Sequence, residues 1–325
     1  MCYLLKQLLT FLALGATLLS SGQEVPKKVV VLNNSTQNMV SLVVLGTAQD
    51  AGSPHIACVK ECCAPLFENQ MTSRKVVSLG VVDNKAQKAF LFEATPDIAV
   101  QLRDLRTHSK FKNTDIPDGI FLTHAHIGHY TGLMYLGKEG TDAKHVPVYA
   151  MPKMTDFVKY NGPWSHLVSN QNIVLMSFQN KKETQLTLDL KVVPFTVPHR
   201  DEYSETVGYK IIGPNKSVLF IPDIDKWEKW ETDIVSEIEK VDYAFLDATF
   251  YDGKEINNRD ISEIPHPFII ESMALFENLH PTEKKKIHFI HFNHTNPLLN
   301  AESLQSKEVL KRGFGIARKG LSLEL

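Results

Sequence analysis

A two-sheet α/β sandwich in one domain is the fold class the sequence predicts, on three observations. Many short apolar runs, each bounded by turn residues, read as strands. Amphipathic stretches at helical spacing fall between them in both halves. No tandem repeat, low-complexity tract or long linker divides the 325 residues, 43% of which are hydrophobic, ample for a packed core. A doubly wound sheet would give similar alternation, so pattern alone leaves both architectures open.

Taken in order, SLVVLGTAQDAG reads as a buried strand running into a glycine-bearing loop. VVSLGVVD and KAFLFEATPD are two strands with a turn at Asn84, the pattern of a hairpin. DIAVQLRDL repeats apolar residues at Ile98, Leu102 and Leu105, with Asp97 placed to cap a helix. GIFLTHAH is a strand entering a loop, and IGHYTGLMYLG continues as a helix. VPVYAM, NIVLMSF, LDLKVVPFTV, VGYKIIG, SVLFIPD and YAFLDATF are further strands, and EKWETDIVSEIEKV an amphipathic helix. KKKIHFIHFNHTNP is a strand into a loop, followed by a helix over residues 300–311 and a last strand in GFGIARKGLSLEL.

Charge gives no reason to expect a nucleic-acid partner. With 35 Lys+Arg against 37 Asp+Glu the net charge is -2, without the basic excess that nucleic-acid binders carry. The first residues have the order of a secretory signal peptide: Lys6, an apolar run over residues 8–19, then Ser20, Ser21 and Gly22. The run is too short for a spanning helix, which needs about 20 residues. The expected organisation is a signal peptide over 1–22, an extension over 23–39 and one domain over 40–325. Export follows, periplasmic or secreted, and an uncleaved N-terminus acting as a membrane tether is the alternative.

Cleavage would remove Cys2 and leave Cys58, Cys62 and Cys63, an odd number in an exported chain. All three lie in HIACVKECC, where disulfides between such near neighbours would be strained. Three thiols with His55 nearby suggest a closed structural zinc site. One short disulfide with a free thiol, or inert thiols, are the alternatives.

The densest chemical signal is THAHIGHY over residues 123–130. His124 and His126 flank one residue at a strand end, so in extended chain their rings face the same side. His129 follows after a turn. Imidazoles so spaced are suited to one or two divalent cations. Further ligand types stand at later strand ends: His199 in TVPH, Asp223 in LFIPD, and His294 in HFNHTNP.

HxHxxH, a later His, an Asp at a strand end and a final His together resemble the metallo-β-lactamase-fold superfamily. VVLGTAQDAGSPH, FLFEATPDIAVQL, FLDATFY, RDISEIPHPF and HFNHTNPLL are similar to one branch, the coenzyme PQQ synthesis protein B family. The resemblance implies a four-layer αββα sandwich, with His124, His126 and His199 on a first metal, His129 and His294 on a second, and Asp223 bridging. It implies zinc, or manganese or iron, since these ligands suit all three. The superfamily normally places Asp immediately before the third motif His, where this chain has Gly128. The second site is thereby one ligand short, and Glu93 and Asp97 are candidates to complete it.

The implied activity is a metal-dependent hydrolase in which a metal-bound hydroxide attacks an ester, amide or phosphodiester of a small molecule, with Asp223 orienting the hydroxide. An iron-dependent hydroxylase of PQQ synthesis and a non-catalytic small-molecule carrier are the alternatives. Arg200 and Asp201 are candidate substrate contacts, or a surface ion pair. His266, held between Pro265 and Pro267, is a candidate proton donor, or a structural loop residue. His288 and His291 read as exposed strand residues, and Asp260 and Ser262 as an ordinary helix start.

Overall fold

The computed structural model describes residues 39–69, 74–257 and 259–325. The signal-like segment and nearly all of the 23–39 extension lie outside the described residues. The first half contributes β1 (Val40–Gly46), β2 (Ser78–Asp83), β3 (Lys88–Phe92), β4 (Gly119–Phe121), β5 (Val146–Ala150) and β6 (Ile173–Ser177). The second contributes β7 (Thr184–Gln185), β8 (Lys191–Thr196), β9 (Val207–Ile212), β10 (Ser217–Ile221), β11 (Tyr243–Asp247), β12 (Ile287–Ile290) and β13 (Gly315–Ile316). The last strand, β14 (Ser322–Glu324), crosses back to pair antiparallel with β1. The sheets run β14-β1-β2-β3-β4-β5-β6 and β13-β12-β11-β10-β9-β8-β7. In each half the opening strands pair antiparallel and the later ones parallel.

The layers follow from which side chains each strand buries. Between the sheets lie Leu42, Val44, Phe92, Phe121, Tyr209, Phe220 and Phe245, with Phe92 and Phe121 stacked at 4.5 Å. A second cluster joins the outer face of the first sheet to Leu102 and Leu105 of helix Ile98–His108 and Met154 and Val158 of helix Pro152–Tyr160. A third seats Ile234, Ile238, Ile269, Met273 and Val309 on the second sheet. Three apolar interfaces separate four layers, so the expected αββα sandwich is the fold and the doubly wound sheet is not. Among the described residues no helix is long and apolar enough to cross a membrane.

Several elements are shorter than their pattern suggests. EKWETDIVSEIEKV starts within a 3-10 turn, Trp227–Lys229, that begins one residue before it, and is helical only over Ile234–Glu239, because Asp233 caps a new start with bonds from the backbone N–H of Val235 and Ser236. The C-terminal strand is two pieces, β13 and β14. Asp97 precedes its helix but does not cap it; its carboxylate instead accepts from the backbone N–H of Val76 at 2.9 Å and pairs with Lys75. Asp260 does cap the short turn Ile261–Glu263.

The fold places one end of both sheets at a common edge. His124, Asp223 and His291 come just after β4, β10 and β12, Asp247 ends β11, and Glu93 follows β3. Carboxyl ends of parallel strands are where α/β folds gather ligands. The loop after β1 also reaches this edge. Phe292 donates its N–H to Thr47 O, and Gln49 N–H to Phe292 O, each at 2.8 Å. Against the segment leading into β2 the same loop is equally close, an added Cβ at Gly46 sitting 1.9 Å from Val76 O.

Candidate metal centres

Four donors meet in a first cluster, His124, His126, His199 and Asp223, with ligand atoms within 4.8 Å of one another. Asp223 Oδ2 lies 3.4 Å from His124 Nε2, 3.9 Å from His126 Nδ1 and 3.2 Å from His199 Nε2. The His124 ring is set from behind by Thr123 Oγ1, 2.9 Å from Nδ1, which turns Nε2 inward. Ser204 accepts the Ala125 N–H and fixes the loop between the two histidines. The side chain of His199 is buried, and neither its nitrogens nor Asp223 Oδ1 make a hydrogen bond, although His199 Nε2 lies 3.2 Å from Asp223 Oδ2 and Asp223 Oδ1 3.2 Å from His266 Nδ1. Unpaired polar atoms at such depth are costly, and a cation satisfies them.

A second cluster adjoins it: Asp50, His129 and His291. Asp50 Oδ1 is 3.0 Å from His129 Nε2 and 3.7 Å from His291 Nε2, and Asp223 Oδ2 is 4.0 Å from His129 Nε2. Thr249 sets the tautomer of His291. Its hydroxyl donates to Asp247 Oδ1 at 2.7 Å, so it accepts from His291 Nδ1 at 2.9 Å. Nε2, buried and without a hydrogen bond, then faces Asp50; against the effect of burial, Asp247 and Asp50 push the ring's pKa up to about 9, so a metal ion there takes the place of a proton.

Electrostatics agree with a cation site. Burial, then the neighbouring His129, holds His124 well below the ordinary imidazole range, in the neutral form a metal needs. Burial disfavours the Asp223 carboxylate, yet His199 and His266 outweigh it and hold its pKa well below normal. Asp50 is held low in the same way by His129 and His291. For His129 burial is outweighed by Glu93 and Asp50, which raise it well above normal; the carboxylates favour positive charge there, and an ion at this cluster has to displace the proton they hold.

Glu93 stands behind this site. It is wholly buried, adopts φ +76° in the region that disfavours side chains, and neither carboxylate oxygen has a hydrogen-bond partner. Its Oε1 lies 3.3 Å from His129 Nδ1, the geometry by which a carboxylate orients a ligating histidine. Glu93→Gln is expected to weaken metal binding at His129 by about 10–100-fold. Calorimetric titration with Zn²⁺ checks this, and unchanged affinity would show that Glu93 only fills space.

His266 is brought to the site. Its Nδ1 lies 2.9 Å from Asp247 Oδ2 and 3.2 Å from Asp223 Oδ1. Against the effect of burial, these two carboxylates push its pKa up to about 10. Asp201 is not brought in as a substrate contact: its carboxylate accepts from Thr206 and braces its own loop. Arg200 is exposed beside His199.

Two ligand assignments need correction. His294 does not join the second site. Strand β12 ends at Ile290, and His291 takes a left-handed φ of +67° that turns its ring inward. His291 is fully buried rather than exposed. His294, in the turn beyond, faces the cysteines, its Nδ1 lying 3.5 Å from Cys62 Sγ and 3.4 Å from Cys63 Sγ. It thereby takes the fourth place in the thiol cluster in front of His55. The His55 ring packs on His294 at 4.4 Å, its Nδ1 bonds Ile56 O, and only its backbone N–H reaches Cys63 Sγ. Cys58, Cys62, Cys63 and His294 form a tetrad of donors within 4.8 Å of one another, the composition of a closed structural zinc site. The thiols are free, 3.8 Å apart where they approach.

Sequence reading missed Asp50, Asp247 and His291. Asp247 and His291 carried the same signal as Asp223, a polar residue where a buried strand stops. Asp50 carried none.

Two sheets in four layers, with histidines and carboxylates at the strand ends, define a class. Residues 88–292 match the beta-lactamase superfamily domain, and the chain belongs to that superfamily. Among its relatives, coenzyme PQQ synthesis protein B of Gluconobacter oxydans (strain 621H) is 24% identical over 305 residues, 88% of this chain and 99% of that one. The same protein of Pseudomonas fluorescens (strain Pf0-1) is 25% identical over 87% of this chain and 99% of its own. Zn²⁺-bound PqqB from Methylobacterium extorquens superposes with a TM-score of 0.71 at 21% identity, covering 88% of this chain and all of that one. A diphosphatase of the PhnP family superposes at 0.61 and 22% identity, covering 88% and 97%.

Proposed function

We propose that the protein is a metal-dependent hydrolase of a small-molecule ester, amide or phosphodiester, using two adjoining divalent ions. The observation that carries this reading is the convergence of His124, His126, His199, Asp223, His129, His291 and Asp50 on one strand-end edge, with buried donor atoms left without protein partners. A divalent ion held by such ligands lowers the pKa of bound water from about 16 to about 7 and polarises the substrate oxygen.

The remaining chemistry belongs to the chain. Asp223 faces both histidine sets and, with ions bound, would orient the attacking water. Asp247 and Thr249 hold Nδ1 of His266, which leaves Nε2 to deliver a proton to the leaving group. Cys58, Cys62, Cys63 and His294 would hold a separate structural zinc.

His266→Gln is expected to lower kcat by about 10²–10⁴-fold with metal content unchanged. The loss should be small for a p-nitrophenolate leaving group, which departs without protonation. Loss of bound metal in this variant would instead make His266 a ligand.

The full-length match to PQQ synthesis proteins supports a second reading, an oxygen-consuming enzyme of that pathway. Hydrolysis of bis(p-nitrophenyl) phosphate, a p-nitrophenyl ester and a lactam by Zn²⁺-, Mn²⁺- or Fe²⁺-loaded protein, with oxygen uptake recorded alongside, separates the two. The hydrolase reading expects turnover that a chelator abolishes. Oxygen uptake without hydrolysis would favour the second.

A further inference from the structure

We infer that Asp50 supplies to the second metal ion the carboxylate that position 128 lacks, and that the chain carrying Asp50 is what keeps residue 128 a glycine. This deepens the metallohydrolase proposal and rests on its reading of the histidine cluster as a metal site.

The two positions compete for one volume. A Cβ added at Gly128 would lie 2.4 Å from Asp50 Cα, 2.7 Å from Asp50 Oδ1 and 2.9 Å from Asp50 Cβ. The space where an aspartate at 128 would begin is already filled by Asp50. The carboxylate also arrives at the right edge. Oδ1 faces Nε2 of both His129 and His291, and Nε2 of His291 is buried with no other partner. Neither Glu93 nor Asp97 can fill the role: Glu93 lies behind the ring at Nδ1, and Asp97 is spent on Val76 and Lys75.

Placement of Asp50 is enforced by the backbone. Residues 47–49 are bonded to Phe292, next to His291, and a parallel bridge joins Ala48 to Phe292. Asp50 and His291 are therefore held on cross-linked loops and approach the ion together. A ligand thus moves from the histidine motif to a loop 78 residues earlier while the donor set stays chemically the same, two imidazoles and a carboxylate beside a bridging carboxylate.

The test is metal content and Zn²⁺ affinity of the full chain, loaded with Zn²⁺ and desalted, for wild type, Asp50→Ala, Asp50→Asn, Gly128→Asp and the double variant His124→Ala/His126→Ala. Asp50→Ala should lose about one equivalent of zinc, and Asp50→Asn should bind that equivalent at least about tenfold more weakly. Gly128→Asp should gain none. Melting in chelator reports folding. Should Asp50→Ala fail to fold, the isosteric Asp50→Asn decides. Wild-type stoichiometry and affinity in the folded Asp50 variants, with zinc lost from the histidine double variant, overturns this inference alone. Wild-type zinc in the histidine double variant overturns the underlying metal reading.

Discussion

Alanine at both His124 and His126 is expected to strip the first-site ion and lower hydrolysis by at least about 10³-fold, while the protein stays folded. The two side chains supply two of the three imidazoles of the first cluster, and their inward nitrogens lie 2.8 Å apart. His129 is not free to replace them, being engaged by Asp50 on one edge and Glu93 on the other. Loss of a Lewis acid worth several kcal/mol of transition-state stabilisation sets the size of the effect, since about 4 kcal/mol corresponds to 10³ in rate. The fold should survive because the apolar clusters lie between the layers, away from the strand-end loops. Elemental analysis and a circular dichroism melt read the two halves of this expectation. Wild-type zinc in the double variant would remove the first site from the account.

Serine at Cys62 and Cys63 together should release one tightly held zinc and also weaken the second histidine site. The thiol loop and the histidine site share their supports. Asp50 lies eight residues before Cys58 on one loop, and His291 three before His294 on the other. A zinc on Cys58, Cys62, Cys63 and His294 ties those loops together just outside the Asp50–His291 pair. Burial and the neighbouring thiol push Cys62 up to about 12, and burial with His55 pulls His294 down to about 4. Cys63 is raised as well, mainly by burial, whereas hydrogen bonds from the Lys60 backbone and the other two thiols lower Cys58 against the effect of burial; a bound cation replaces the protons that Cys62 and Cys63 hold and takes up the nitrogen that His294 leaves unprotonated. The variant should lose one equivalent of zinc, bind the second-site ion at least about tenfold more weakly, and be cut by protease within residues 55–69. An intact disulfide within the segment in native protein, or unchanged zinc in the variant, would contradict this.

The strand-end logic was legible because it is local. A buried apolar run that stops at a histidine or aspartate announces itself, and so His124, His126, His129, His199 and Asp223 were found together with the layers that position them. His291 was passed over because alternation along IHFIHFNH extends the strand to His294, whereas the chain leaves β12 at Ile290 and reverses handedness at His291. That one turn exchanged the roles of two histidines three residues apart. Asp50 is a different case. Its role depends on contact with Gly128, and nothing in GTAQDAG separates it from any loop aspartate. The glycine was visible as a gap in the motif, but what fills the gap is set by tertiary packing.

Metal stoichiometry of the purified full-length chain, with the ligand atoms of each ion resolved by X-ray absorption, tests the central claim most directly. The account predicts three divalent ions per chain, one bound mainly by sulfur and two by nitrogen and oxygen. A single sulfur-bound ion, with the histidine edge empty after loading with Zn²⁺, Mn²⁺ or Fe²⁺, would contradict it.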